Sequence, residues 1–391
     1  MRNVLTQAWQ RGRGFVPTHG FAFGRPLVVL QSDDWGRVGL REDAWEEVQR
    51  FVPNLGERAY DCYSLETAED LGALASLLGR HRDSTGRPAC LQMNFILANV
   101  DFARVAADDF RNIHLVPLTH GLPEGWERPG LFEAYQEGIE GGLFSPSLHG
   151  TTHFCRPAVE RALADPGERG LQIRGLWRAG VPYIHWRMPW IGFEYWDPEQ
   201  EEEKRFLNPE TQEQLIASAA EILSKLFSRR PRSACAPGYR ANNDTQRAWF
   251  KSGVRVAQNG PSDQTLPHFD RNGILQLSRI IDFEPAIDPQ LSIAACMATA
   301  SECFARGFPA IISIHSINFH SAIKDFRTRT IELLDQFLAA LESRFSDLLY
   351  VSDEDLYQLV DTGKLESQGP VVRVPVSRRI FAPGLAFRRG A

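Results

Sequence analysis

No stretch of this chain comes near the roughly 20 apolar residues that cross a bilayer. Its longest apolar runs, such as Pro26 to Leu30 and Pro309 to Ile314, are far shorter, so no membrane span is expected. The opening segment, MRNVLTQAWQRGRG, breaks up its basic residues with Gln, Trp and Gly and never builds the apolar region of a secretory signal. A cytoplasmic location is the expectation. Positive charge is not in excess either: 43 Lys and Arg stand against 49 Asp and Glu, a formal net charge of −6, which argues against a nucleic-acid partner. Cysteine is scarce. Cys62, Cys90, Cys155, Cys235, Cys296 and Cys303 form no CxxC pair and no small-domain framework, and read as reduced, mostly buried thiols. No repeat of fixed period and no low-complexity tract occurs.

What is present is core material, 43% hydrophobic residues over 391 positions, arranged as short apolar runs alternating with longer helical stretches. That alternation marks parallel βα units and an α/β fold. The strand candidates are Pro26–Gln31, Ala89–Ile96, Leu143–Leu148, Ser233–Ala236, Val254–Ala257, Ile274–Leu277, Ala310–Ile314 and Leu348–Val351. Apolar residues three and four apart predict helices over Thr67–Arg80, Pro209–Ser228, Leu291–Arg306 and Ala322–Arg344, and Asn208-Pro209 reads as a helix start. About seven strands in this order suit a distorted (β/α) barrel, whose strands are buried on both faces; a doubly wound open sheet is the alternative. Residues 1–365 are read as one domain, with an aromatic-rich insertion over Pro182–Phe206, and residues 366–391, rich in Arg, Gly and Pro, as a strap or loosely held tail.

Barrel enzymes gather their chemistry on loops at the strand carboxyl ends, and three such places carry polar groups. In LVVLQSDDWGR, Asp33 and Asp34 leave an apolar strand together, where successive side chains point in different directions: one can bind a metal while the other faces a bound water, or one caps a helix and the other is solvated. In SLHGTTHF, His149 and His153 stand four apart, a spacing that lets both imidazoles meet one cation if the turn is helical. In AIISIH, His315 ends a very apolar strand and is either a core histidine or a general acid/base. Asn318 adds a polar group to the same mouth, with His320 placed further out. Together these give one carboxylate and two imidazoles for a divalent cation, with an Asp and a His to spare; the donor set suits Zn²⁺, with Fe²⁺, Co²⁺ or Ni²⁺ as alternatives. Trp35, Trp186, Trp190 and Tyr195 can supply an aromatic platform or simply a small core of their own, and His120 and Trp126 form another loop, at most a rim.

These residues resemble the polysaccharide deacetylase family, the NodB-homology carbohydrate esterases of family 4. Ser32-Asp33-Asp34 is similar to that family's first motif, His149-Gly150-Thr151-Thr152-His153 to its His-x-x-x-His, and CAPGYRAN, through Pro237, Gly238 and Tyr239, to its third. The resemblance implies a distorted barrel from Leu27 to about Val351, Asp33 as catalytic base, Asp34, His149 and His153 as metal ligands, and His315 as general acid. Cys235 stands where the family has Arg, so the group orienting the base must come from elsewhere, Arg240 and Arg279 being the candidates. The Asp that orients the acid histidine has no clear counterpart; Asp282 and Glu284 are the candidates. The resemblance implies metal-dependent removal of an acyl group, N-acetyl foremost, from a sugar that is nucleotide-linked, lipid-linked or oligomeric. Trp35, Pro237, Gly238, Tyr239, Arg240 and Asn318 are then expected to contact that carbohydrate. Two other classes compete: a catalytically silent carbohydrate-binding barrel, and a non-haem Fe(II) oxygenase, whose usual His-x-Asp spacing is missing.

Overall fold

The computed structural model describes residues 18–261, 266–366 and 371–381. The opening segment and the ends of the tail, 367–370 and 382–391, lie outside them. Strands are numbered β1 (Thr18–Phe23), β2 (Leu27–Trp35), β3 (Leu91–Phe95), β4 (Phe144–Leu148), β5 (Ser233–Cys235), β6 (Val256–Asn259), β7 (Leu275–Ser278), β8 (Ile281–Asp282), β9 (Ala310–His315), β10 (Leu349–Tyr350) and β11 (Val376–Phe381). One mainly parallel sheet runs β8-β9-β2-β3-β4-β5-β6-β7, with β10 beside the start of β2 and an antiparallel edge at His268–Phe269. Parallel neighbours need long crossovers, and helices supply most of them: Ala68–Arg80, Leu131–Glu140, Pro209–Phe227, Asn243–Lys251, Ile293–Arg306 and Arg327–Arg344.

All nine residues of β2 are buried, which is why its sequence reads as an unbroken apolar run rather than an alternation. The helices start where side chains can satisfy their free amides: Thr67 and Asp70 form a reciprocal cap, and Asn208 accepts from the Thr211 amide ahead of Pro209. The expected helix over Ala322–Arg344 begins later, at Arg327, because Ser321 to Asp325 form a turn pinned by Ser321 and Arg327 on Asp70. Part of the expected tail forms a strand: β11 pairs antiparallel with β1 from Thr18↔Phe381 to Phe23↔Val376. Residues 182–206 contain no helix longer than a single 3-10 turn.

Two registers place the chemistry. His315 is paired directly with Asp33 across β9 and β2. Between β2 and β3 the register slips, Ser32 facing Met93 but Trp35 facing Phe95, so β2 holds one residue too many. Asp34 takes up the excess at φ 76°. Such a bulge re-aims a side chain, and it turns both carboxylates toward one mouth, where a regular strand would have sent them to opposite faces.

Candidate active site

At the carboxyl ends of β2, β4, β5 and β9, two linked clusters form. In the first, Asp34 Oδ1 lies 3.5 Å from His149 Nε2 and 3.3 Å from His153 Nε2. All three side chains are buried, and their donor atoms lie within 4.8 Å of one another. The ring of His149 is aimed by Cys235, whose carbonyl oxygen accepts from Nδ1 at 2.9 Å. That bond leaves Nε2 facing Asp34, the arrangement of a metal-ligating imidazole. Asp34 Oδ1 and His149 Nε2 are buried without a hydrogen-bond partner. Buried polar atoms are seldom left so, and a divalent cation held between them would satisfy both. Burial opposes charge on both rings, but Asp33 and Asp34 draw a proton onto His149, whereas burial, aided by Arg37, holds His153 neutral against Asp34. A cation held at this cluster would compete with a proton on His149.

The His149–His153 segment is not a helical turn, the condition under which the spacing alone would bring both rings to one cation. It is a loop held by Glu194, whose Oε1 accepts from the amides of Thr151 at 2.7 Å and Thr152 at 3.0 Å. Gly150 sits at φ 97°, and a Cβ there would collide with Glu194 Oε2. Burial pushes Glu194 up to about 7 despite these amides. On the other side, Arg37 approaches Asp34 Oδ2 at 3.4 Å, donates to Tyr183 Oη at 2.6 Å and stacks on the Tyr63 ring at 3.7 Å. Asp34 thus has one oxygen committed to a fixed cation and the other to the two histidines.

The second cluster surrounds Asp33. Arg279 donates to both of its oxygens, Nη1 to Oδ2 and Nη2 to Oδ1, each at 2.7 Å, and Asn94 Nδ2 adds a third bond to Oδ1 at 2.6 Å. Burial alone would raise Asp33, yet the Arg279 charge overcomes it and holds the carboxyl well below the usual range. Arg279 is itself fully buried and rests on a polar lattice inside the sheet. Its Nε reaches Gln31 at 3.1 Å and Nη2 reaches Gln258 at 2.7 Å; the amides of Gln31 and Gln258 in turn reach Asp353 at 2.7 and 2.8 Å. His315 Nε2 stands 3.9 Å from Asp33 Oδ2, and its Nδ1 contacts Glu284 Oε1 at 2.6 Å. Burial would lower His315, but Glu284 outweighs it and pushes the ring up to about 9.

Of the two arginines considered for Asp33, Arg279 makes the contact. Arg240 is exposed and lies over the Trp196 ring at 4.7 Å. Glu284, not the exposed Asp282, contacts His315. The residues expected at a carbohydrate differ in burial and in partners. Trp35 is fully buried, stacked on Phe319 and bonded to Ser32 Oγ, so its ring offers no free face. Asn318 spends its amide on Glu284, the His315 carbonyl and the Ala286 amide. Pro237 is buried, Gly238 at φ 60° lies against the Phe193 ring, and Tyr239 accepts from Arg279 at 2.9 Å. Tyr195 and Trp126 are core residues, His120 is exposed on its loop, and Trp190 is half-buried under Arg169. His320, expected further out, is buried against Tyr63 and Glu66.

Trp186 differs from these: it is 66% exposed, strained at φ 67°, and edge-on to His185 at 4.7 Å. His185 continues the wall, 4.8 Å from Tyr60 and 5.5 Å from the His153 ring, and Tyr60 lies 6.2 Å from His315. Sequence reasoning missed Arg37, Glu194, His185 and the amides under Arg279. The visible signal for the amides was polar residues inside apolar strands, Gln31, Asn94 and Gln258.

No protein-family model and no curated protein matches the chain. Among solved structures, a protein from Parabacteroides distasonis described as a glycoside hydrolase/deacetylase aligns at 12% identity with a TM-score of 0.51, over 88% of this chain and 72% of that one. A protein from Mycobacterium smegmatis described as a polysaccharide deacetylase aligns at 10% identity with a TM-score of 0.46, over 89% and 95%. A family 4 carbohydrate esterase from Streptomyces lividans in complex with acetate aligns at 11% identity with a TM-score of 0.32, over 83% and 90%. The structural neighbours therefore include polysaccharide deacetylases and members of the glycoside hydrolase/deacetylase superfamily, at low identity. Likeness at this level is one of fold. Among the described residues, no helix is long and apolar enough to cross a membrane.

Proposed function

We propose that this chain is a metal-dependent hydrolase that removes an acyl group, N-acetyl foremost, from a sugar during glycan or polysaccharide biosynthesis. The observation that carries the reading is the joining of three buried metal donors to a carboxylate–histidine pair at one strand end. Asp34, His149 and His153 would hold the ion, Zn²⁺ foremost, since one carboxylate and two imidazoles with further positions open match that chemistry, with Fe²⁺, Co²⁺ and Ni²⁺ as alternatives. When bound there, a divalent cation acidifies water and polarises an acyl oxygen.

The chain's own residues do the rest. Asp33, kept ionised by Arg279, accepts the proton of the attacking water at the oxygen nearer His315. So firmly ionised a carboxylate is a weak base, which matches a water that has been made acidic. His315, kept protonated by Glu284, donates its Nε2 proton to the leaving nitrogen or oxygen. The pair supports catalysis over the silent binding barrel, which needs neither group. Exposed Trp186, edge-on to half-buried His185, offers the aromatic surface on which a sugar ring stacks.

The wider expectations form part of the same reading. The run Leu275–Asp282 pairs with β6 at its start and with β9 at its end, which supports a distorted barrel. Glu194, within 182–206, clamps the ligand loop, which supports an insertion serving a single domain over 1–365, and the β1–β11 pairing supports a strap over 366–391. Six free thiols suit a reducing, cytoplasmic setting.

The test is acetate release by the Zn²⁺-, Fe²⁺- or Co²⁺-loaded protein from N-acetylated sugars, offered free, oligomeric and nucleotide-linked. Release that disappears in Asp33→Asn supports the reading. A loaded protein that binds these sugars and releases nothing is a binding barrel.

A further inference from the structure

The opposite end of the sheet has a cavity of its own. A cavity of about 690 Å³ opens where strands begin, between Pro88 and Cys90 ahead of β3, Phe144 and Ser145 at the start of β4, and Arg232 ahead of β5. The Asp34, His149 and His153 cluster lies at the other end of the sheet. Arg87 lines the cavity and is only 5% exposed, yet its guanidinium Nε and Nη2 have no hydrogen-bond partner. No carboxylate among the described residues forms an ion pair with it. Its backbone is fixed, since the Arg87 amide donates to Asp83 Oδ1 at 3.1 Å and Asp83 in turn receives the Tyr350 amide.

A buried guanidinium without an anion is among the costliest arrangements in a protein. Its five donors are arranged to grip the oxygens of a carboxylate or a phosphate. Arg229 and Arg232 add positive charge to the same lining. Four acids also line it, and they constrain the ligand. Asp355 is engaged in capping Ser352, at 3.0 Å to both its amide and hydroxyl, and Glu354 lies 3.5 Å from Arg232. Asp361 and Glu366 stand exposed. These acids would repel a polyanion more strongly than a ligand that carries a single anionic group.

We propose that this cavity binds a small molecule bearing one oxyanion group, carboxylate or phosphate, with Arg87 as its buried counter-charge. The site is independent of the acyl-transfer chemistry, being built from other residues at the other end of the sheet. Calorimetric titration of the full-length protein with acetate, inorganic phosphate and tripolyphosphate tests it. The expected result is saturable binding of acetate, phosphate or both, the pattern showing which head group is preferred. That binding weakens about tenfold or more in Arg87→Met and survives Asp34→Asn at the far end. Arg87→Met is also expected to melt no lower than the wild type without ligand, since an apolar chain of similar length replaces an unpaired buried charge. Arg229→Ala supplies a second variant that leaves the buried side chain in place, with weaker binding expected. Failure of both small anions to bind, binding undiminished in Arg87→Met, or tripolyphosphate binding tighter than either, overturns the proposal.

Discussion

Asp33 receives hydrogen bonds from two nitrogens of Arg279 and from Asn94, whereas one oxygen of its neighbour Asp34 meets only two imidazoles and has no hydrogen bond at all. The two carboxylates are adjacent in sequence and equally buried, so solvent does not distinguish them. What differs is how fully each is satisfied by protein. The satisfied carboxylate is fixed in place and in charge, as a proton acceptor must be. The unsatisfied one turns an oxygen toward two imidazole nitrogens, an arrangement that a divalent cation would stabilise. Bulging β2 at Asp34 is what lets a single strand present both.

Removing the proton acceptor breaks the comparison most severely. Asp33→Asn is expected to lower turnover by about a hundred- to ten-thousandfold while metal content stays as in the wild type, read by steady-state rates beside elemental analysis. Next comes the group that satisfies Asp33. Arg279→Met leaves a buried carboxylate uncompensated and is expected to cost about 3–5 kcal/mol of stability in urea unfolding. Arg279→Lys is expected to rescue little, since one ammonium cannot reproduce the two-pronged contact.

On the Asp34 side the corresponding support is Glu194. Glu194→Ala frees the amides of Thr151 and Thr152 and is expected to weaken metal binding about 10- to 100-fold, while Glu194→Gln, which still offers a carbonyl oxygen, keeps most of it. The smallest effect falls on His315. Its folded value of about 9 exceeds the ordinary 6.5, so its stabilising contribution is complete below pH 6.5 and is lost as pH rises through about 9. Activity that needs the protonated ring declines over the same upper range. Glu284→Gln is expected to move that alkaline limb acidward, toward 6.5, in the pH–rate profile.

Much of this arrangement was visible in the sequence where chemistry and position coincide. Asp33, Asp34, His149 and His315 each interrupt or end an apolar run, and apolar runs in a βα alternation become parallel strands. The remainder depends on contacts between distant residues. Arg279 meets Asp33 from 246 positions away and Asp353 meets Gln31 from 322; neither spacing leaves a local pattern. The aromatic residues were ambiguous for a simpler reason. Trp35 and Tyr195 serve equally as core or as platform by residue type, and only burial separates them from Trp186. The His149–His153 spacing brings the rings together if the turn is helical, but Gly150 and the Glu194 clamp achieve the same convergence in a loop.

The most direct test of the division between Asp33 and Asp34 is elemental analysis of the purified protein, reloaded with Zn²⁺, Fe²⁺ or Co²⁺, beside His153→Ala and Asp33→Asn. The account predicts about one ion per chain in the wild type and in Asp33→Asn, and none in His153→Ala. An ion kept by His153→Ala but lost from Asp33→Asn would contradict it and move the metal to Asp33, His149 and Cys235, whose donor atoms also lie within 4.8 Å of one another.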